Sequence, residues 1–167
     1  KNYASVEMIT VAIMHGLEVG LTPMAALQSI AVINGMPSIW GDGMLALVRN
    51  SGFLEDMEET QEEDENGPTI AICKVKRRGQ GWTVQSFTRP EAMRAGLWKK
   101  TGPWTQYPRR MMQMRARSWA LRDAFADVLR GLGSAEETQD MVDVTASGSA
   151  TTAPPAPTSD CTSASVS

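Results

Sequence analysis

The chain has 167 residues, 42% of them hydrophobic, with a formal net charge of −3, which suits one packed domain with an appendage. Two cysteines and a single histidine exclude a disulfide scaffold and a Cys/His metal centre. With no run of about 18 uninterrupted apolar residues, a membrane-spanning helix is excluded as well.

A helix is predicted from Ser5 to about Leu17, with Ser5 as N-cap and Val6, Ile9, Ile13 and Leu17 along one side. Glu7, His15 and Glu18 interrupt this apolar stretch and no basic leader precedes it, so a secretory signal is not expected. His15 is read as a partly buried helix residue. Thr22-Pro23 predicts a capped start for a short helix to about Gln28. Ile30–Ile33 and Met36–Trp40 flank Asn34-Gly35, the signature of a tight hairpin turn. Pro37 implies that its strand is short or at an edge.

Asp42 is predicted to cap a helix through about Asn50, ended by Gly52. Phe53 to Glu59 reads as a strand fading into an acidic loop. Thr69–Lys76 has the highest β-branched content of any predicted strand, and Trp82–Thr88 returns as its partner after a turn over Arg77–Gly81. Pro90 opens a short helix to about Ala95. Gly102-Pro-Trp104 then leads into a long helix from Arg109. From Gly131 Ser, Thr, Ala and Pro dominate, so residues 131–167 are expected to be a disordered low-complexity tail. The expected fold is α+β: an antiparallel three-stranded meander plus a β-hairpin, covered by helices on one face, with one long Arg-rich helix.

Charge is segregated along this order. Lys74 to Arg130 holds fourteen Lys/Arg against Glu91, Asp123 and Asp127, whereas Glu55 to Glu65 holds eight acids and no base. A basic half of this strength points to a polyanionic partner. In the long helix Met111, Met114, Ser118, Leu121, Phe125 and Val128 form one stripe expected to be buried. Arg115, Trp119 and Arg122 flank it on one side, Arg110 and Arg117 on the other. Arginines border the seam, Trp104, Tyr107 and Trp119 are interleaved with them, and only two acids lie in the helix. Planar guanidinium groups fit phosphate oxygens, and aromatic faces accept stacked bases, so single-stranded nucleic acid is the expected ligand.

These pieces resemble the RecT family of phage single-strand annealing proteins. The signatures are Gly20-Leu-Thr-Pro-Met-Ala-Ala-Leu27, the Asn34-Gly35 hairpin, Ile39-Trp-Gly-Asp-Gly-Met-Leu-Ala-Leu-Val-Arg-Asn-Ser-Gly52, an acidic stretch with a strand pair, and Gly102-Pro-Trp104 before the Arg109–Phe125 helix. The resemblance covers roughly residues 5 to 130, a core of 1–130 against a tail of 131–167. It implies ATP-independent annealing of complementary DNA strands by a homo-oligomeric ring or filament without any cofactor. It also implies a phage exonuclease as a companion, in the cytoplasm of a bacterial or phage-infected cell. The two cysteines, read as unbridged, suit such a reducing compartment. Many members carry a lysine-threonine pair inside the long helix. This chain has Ser118-Trp119 there, with Arg117 just before.

Three groups of candidate DNA-binding residues follow. The first is the helical set Arg109, Arg110, Arg115, Arg117, Trp119 and Arg122. The second is a basic finger of Lys74, Lys76, Arg77 and Arg78, with an alternative in which it pairs with the acidic run. The third is Trp98, Lys99, Lys100 and Trp104 on a Gly/Pro-bounded loop, where at least one tryptophan is expected to anchor the loop to the core. No catalytic or metal-ligating residue is assigned. The alternatives are a metal-dependent nuclease, for which the consecutive acids lack a rigid scaffold, and a passive strand-protecting protein. The acidic run is also a candidate docking element for the basic face of a neighbouring subunit.

Overall fold

The computed structural model describes residues 3–148, with side chains through Met141. Helix α1 (Val6–Glu18) begins at Ser5, whose hydroxyl accepts from Met8 N, and α2 (Pro23–Ser29) at Thr22, whose hydroxyl accepts from Ala25 N. The two helices meet where Gly16 touches the Cβ of Ala26, a spacing that leaves no room for a side chain at 16. Strands β1 (Ile30–Ile33) and β2 (Met36–Ile39) pair antiparallel across Asn34-Gly35, whose φ values of 50° and 78° fit a primed turn. β2 is short, as Pro37 demands, yet it lies in the centre of its sheet. Its other neighbour is β6 (Gly133–Ser134), paired in parallel.

Helix α3 (Gly41–Asn50) follows, with Asp42 in its first turn. Trp40 is the N-cap and gives no side-chain cap bond. The meander is β3 (Leu54–Asp64), β4 (Gly67–Arg77) and β5 (Trp82–Thr88), in the order β3-β4-β5. Here the sequence expectation needs correction. The acidic run lies in a strand of eleven residues, paired with β4 from Leu54↔Arg77 to Asp64↔Gly67 with register shifts between Leu54 and Asp56 and between Glu62 and Glu63. Low intrinsic strand propensity is overridden because β4 supplies a long hydrogen-bonding edge and, at Lys74 and Lys76, opposing charge.

Short α4 (Arg89–Arg94) starts at a capping box between Thr88 and Glu91, and α5 (Pro103–Gln106) is a single turn. Helix α6 (Pro108–Ala124) lies across the inner face of β4 and β5, followed by α7 (Ala126–Leu129), β6 and α8 (Ala135–Gly148). One large core joins them, centred on Val75, Phe87, Trp104, Met112, Leu121 and Phe125.

Two further expectations change. The predicted stripe on α6 is buried at Met114, Ser118, Leu121 and Phe125 and half-buried at Met111 and Val128. Burial extends well beyond it, to Met112, Ala116, Arg117, Ala120 and Ala124, because α6 is packed against the meander on one side and α3 on another, with α8 reaching Arg115 and Arg122 through Asp140 and Glu137. The folded chain also continues past Gly131. Ser134, Ala135, Glu137, Thr138 and Asp140 are buried, held by the β2–β6 bridge and by a 2.9 Å contact between the Ser38 and Thr138 hydroxyls. The expected tail from residue 149 onward lies outside the described residues.

Candidate nucleic-acid interface

Helix α6 aims its arginines to two sides, and each side meets carboxylates from elsewhere in the chain. On one side Arg117 Nε and Nη2 donate to Glu59 of β3 at 2.7 and 2.6 Å, and its Nη1 donates to Asp42 of α3 at 3.1 Å. Only 8% of that side chain is exposed. Burial lowers the affinity of Arg117 for its proton, but the Glu59 hydrogen bonds together with the negative charges of Glu59 and Asp42 outweigh this and raise it overall. Arg110 bonds Asp42, and Arg109 reaches Glu63 and Gln61. On the other side Arg115 donates to Asp140 at 2.6 Å and Arg122 to Glu137 at 2.7 Å, both acids of α8. The expected shortage of counter-ions is therefore corrected. The missing acids are non-local, so a count within the helix does not reveal them.

The basic finger follows the same rule in part. Lys74 pairs with Glu58 and Lys76 with Glu55, across the β3–β4 register on the solvent face of the sheet. Arg77 turns inward, makes a two-pronged contact with Asp127, and lies over the rings of Phe53 and Phe125. These hydrogen bonds pull the Asp127 carboxyl down to about 2. Arg78, in the turn itself, is exposed and makes no ion pair among the described residues.

In the third group, Trp104 is the anchoring tryptophan. It is 2% exposed, tilted against Phe87, and its Nε1 donates to Asp140 at 3.0 Å. Lys100 shares that carboxylate at 2.7 Å. Trp98 is half-buried with the Arg89 guanidinium over its ring, and Trp119 is half-buried edge-on to Phe87. Lys99 is exposed and unpaired among the described residues.

No family model and no curated protein matches this chain. Geometry alone must therefore rank the candidates, and it divides them. Arg117 and Trp104 are interior groups, as Arg115 and Lys100 largely are. Arg78, Lys99, Arg109, Arg110, Lys74, Lys76 and Arg122 have accessible charge.

Two aromatic residues absent from the sequence-based site set stand beside these cations. Trp82, 42% exposed, opens β5 just after the Arg78 turn and sits opposite Lys76 in register. Tyr107, 65% exposed, precedes Arg109 and Arg110 at the start of α6. Both were legible as aromatics bordering a turn next to basic residues. That helix start has no side-chain cap and no acid in its first turn, so its exposed N–H groups and dipole favour an anion. Beside it, Glu59, Thr60, Gln61, Arg109, Arg110 and Gln113 line a recess of about 360 Å³.

No three His, Cys, Asp or Glu side chains among the described residues come together as a metal site. No single described helix is long and apolar enough to cross a membrane.

Proposed function

We propose that the protein binds single-stranded DNA and promotes annealing of complementary strands without a nucleotide cofactor, as the resemblance to RecT proteins implies. One observation carries the reading. At two connections an exposed aromatic ring has accessible cations next to it: Trp82 with Lys76 and Arg78, and Tyr107 with Arg109 and Arg110. Rings offer sequence-tolerant stacking worth about 1–3 kcal/mol per base, and the cations supply phosphate contacts. The paired cations among them remain available, because exposed ion pairs contribute only about 0–1 kcal/mol and a polyanion competes for them. Binding in this reading raises the local concentration of strands and screens their repulsion; no bond is made or broken. Assembly into a homo-oligomer and cooperation with an exonuclease belong to the same proposal.

The test is fluorescence-monitored annealing of two complementary oligonucleotides, with and without magnesium. Annealing should accelerate in both conditions with the strands left intact. Slowed pairing would indicate strand protection, and magnesium-dependent cleavage a nuclease. Trp82→Ala with Arg78→Gln should weaken oligonucleotide binding by about tenfold at an unchanged melting temperature.

A further inference from the structure

The two basic, aromatic patches stand at opposite ends of α6. Tyr107, Arg109 and Arg110 lie at its start. The β4–β5 turn, with Arg78 and Trp82, reaches its end, where the neighbouring Arg77 donates to the Ala124 carbonyl at 2.9 Å. Seventeen residues of helix set the two patches about 25 Å apart. Helix α3 runs between them and is tied to both. At its start Asp42 accepts from Arg110 at 2.8 Å, and just past its end the Phe53 carbonyl accepts from Arg78 N at 2.8 Å.

Helical spacing shapes the outward face of α3. Asp42, Leu45, Ala46, Arg49 and Asn50 occupy positions i, i+3, i+4, i+7 and i+8 and line an open recess of about 660 Å³, while Met44, Leu47 and Val48 are buried in the core. The acid among these five, Asp42, is shared by Arg110 and Arg117, so its charge is already offset. Arg49 stands about 10 Å further along the helix. It is exposed and makes no ion pair among the described residues. Phe53, four residues on, is 46% exposed, with the Arg77 guanidinium 4.9 Å from its ring centre. At the far end Asp127 and Glu55 are engaged by Arg77 and Lys76. Cations and open rings therefore alternate along the whole route, and Arg49 and Phe53 fill the gap between the patches. Half-buried Leu45 and Ala46 offer too little apolar surface for a hydrophobic protein contact, whereas a polyphosphate needs none.

We infer that the outward face of α3, with Arg49, Asn50 and Phe53, is a track that carries one single strand of DNA from the Tyr107 end of α6 to the Trp82 turn. The inference rests on the proposed DNA-binding reading and adds to it a path and three contact residues. Arg49 supplies a phosphate contact midway, Asn50 a hydrogen-bond donor beside it, and Phe53 a ring for a base. Both patches then hold the same strand, which keeps it extended across the subunit.

The experiment follows binding of a labelled oligo(dT) by anisotropy across a salt series, using the whole chain. Arg49→Gln should weaken binding about fivefold at 0.1 M salt and lower the salt slope by roughly 0.7, the loss of one phosphate contact. Ala46→Glu, which sets a carboxylate on the track, should weaken it at least as much. Thr10→Glu makes the same change of charge on exposed α1 and should leave binding unchanged. Positions 46 and 49 are both exposed, so the thermal transitions should not move; should one variant fold poorly, the other decides. Binding that depends on Arg78 and Trp82 yet is untouched by Arg49→Gln and Ala46→Glu overturns the track and leaves the binding reading standing. An equal loss in Thr10→Glu and Ala46→Glu also overturns it, as an effect of net charge. Absence of any binding by the unaltered chain removes both.

Discussion

Arg117 shows how completely a charged side chain can be absorbed by a fold. Its guanidinium satisfies Glu59 and Asp42 at once from inside the layer between α6 and the meander. Removing one member of such a pair leaves the other charge without compensation. Arg117→Ala should therefore lower stability by about 3–5 kcal/mol, read from the urea midpoint. Arg117→Met with Glu59→Leu should recover much of that loss, because an apolar pair of similar volume fills the same space. Cys73 lies close by and is buried. Desolvation, with Glu59 adding to it, pushes its thiol up to about 12 from 9.0. The raised value favours the protonated folded form, so this contribution is intact below pH 9 and is lost as pH rises from 9 toward 12. With Cys161→Ser in place, a thiol reagent at pH 8 should label Cys73 only after the protein is unfolded.

Among the elements, those with local instructions were readable from the sequence. Ser5, Thr22-Pro23 and Asn34-Gly35 each act within four residues, and each sits where the predicted element begins or turns; Pro90 likewise lies in the first turn of α4, although the Thr88–Glu91 box that caps it was not read from the sequence. Strand β3 was not legible as a full strand. Glu58 faces Lys74 and Glu59 reaches Arg117, partners distant in the sequence, and only those partners make an acidic strand favourable. Helix α8 was missed for the same reason, since its acids are complementary to α6 and not to their own surroundings. At the start of α6 the reverse holds: Arg109 and Arg110 sit at the positive end of the helix dipole, against the local preference. Replacing both with glutamine should change stability by no more than about 1 kcal/mol, as weak exposed ion pairs and unfavourable dipole contacts are lost together. The same change should lower the salt dependence of oligonucleotide binding by roughly 0.7 per lost phosphate contact.

At the scale of the whole molecule, the division at residue 130 does not match the packing. Leu132, Ser134, Ala135 and Asp140 belong to the buried interior, although composition assigns them to a tail. A chain ending at Arg130 should lose about 1.5–3 kcal/mol for the burial of Leu132 and more for the rest of the removed interior, visible as an earlier thermal transition by circular dichroism. An unchanged transition would mean that α8 rests on a core already complete without it. The candidate site was legible in outline, as a basic, aromatic-bearing half, while the sorting of its cations into interior and accessible groups was not. That sorting depends on acids from β3, α3 and α8, and no window along the chain brings them together.

The parallel contact between β2 and β6 also sets a timetable. Ser38 and Ile39 find Gly133 and Ser134 only after all of the intervening chain has been made, so during synthesis the hairpin waits with one flank open. Pro37 lies on that flank, and its missing N–H makes the waiting strand a poor template for stray chains. A residue that limits the strand's length in the finished protein thereby guards it while the nascent protein is still incomplete.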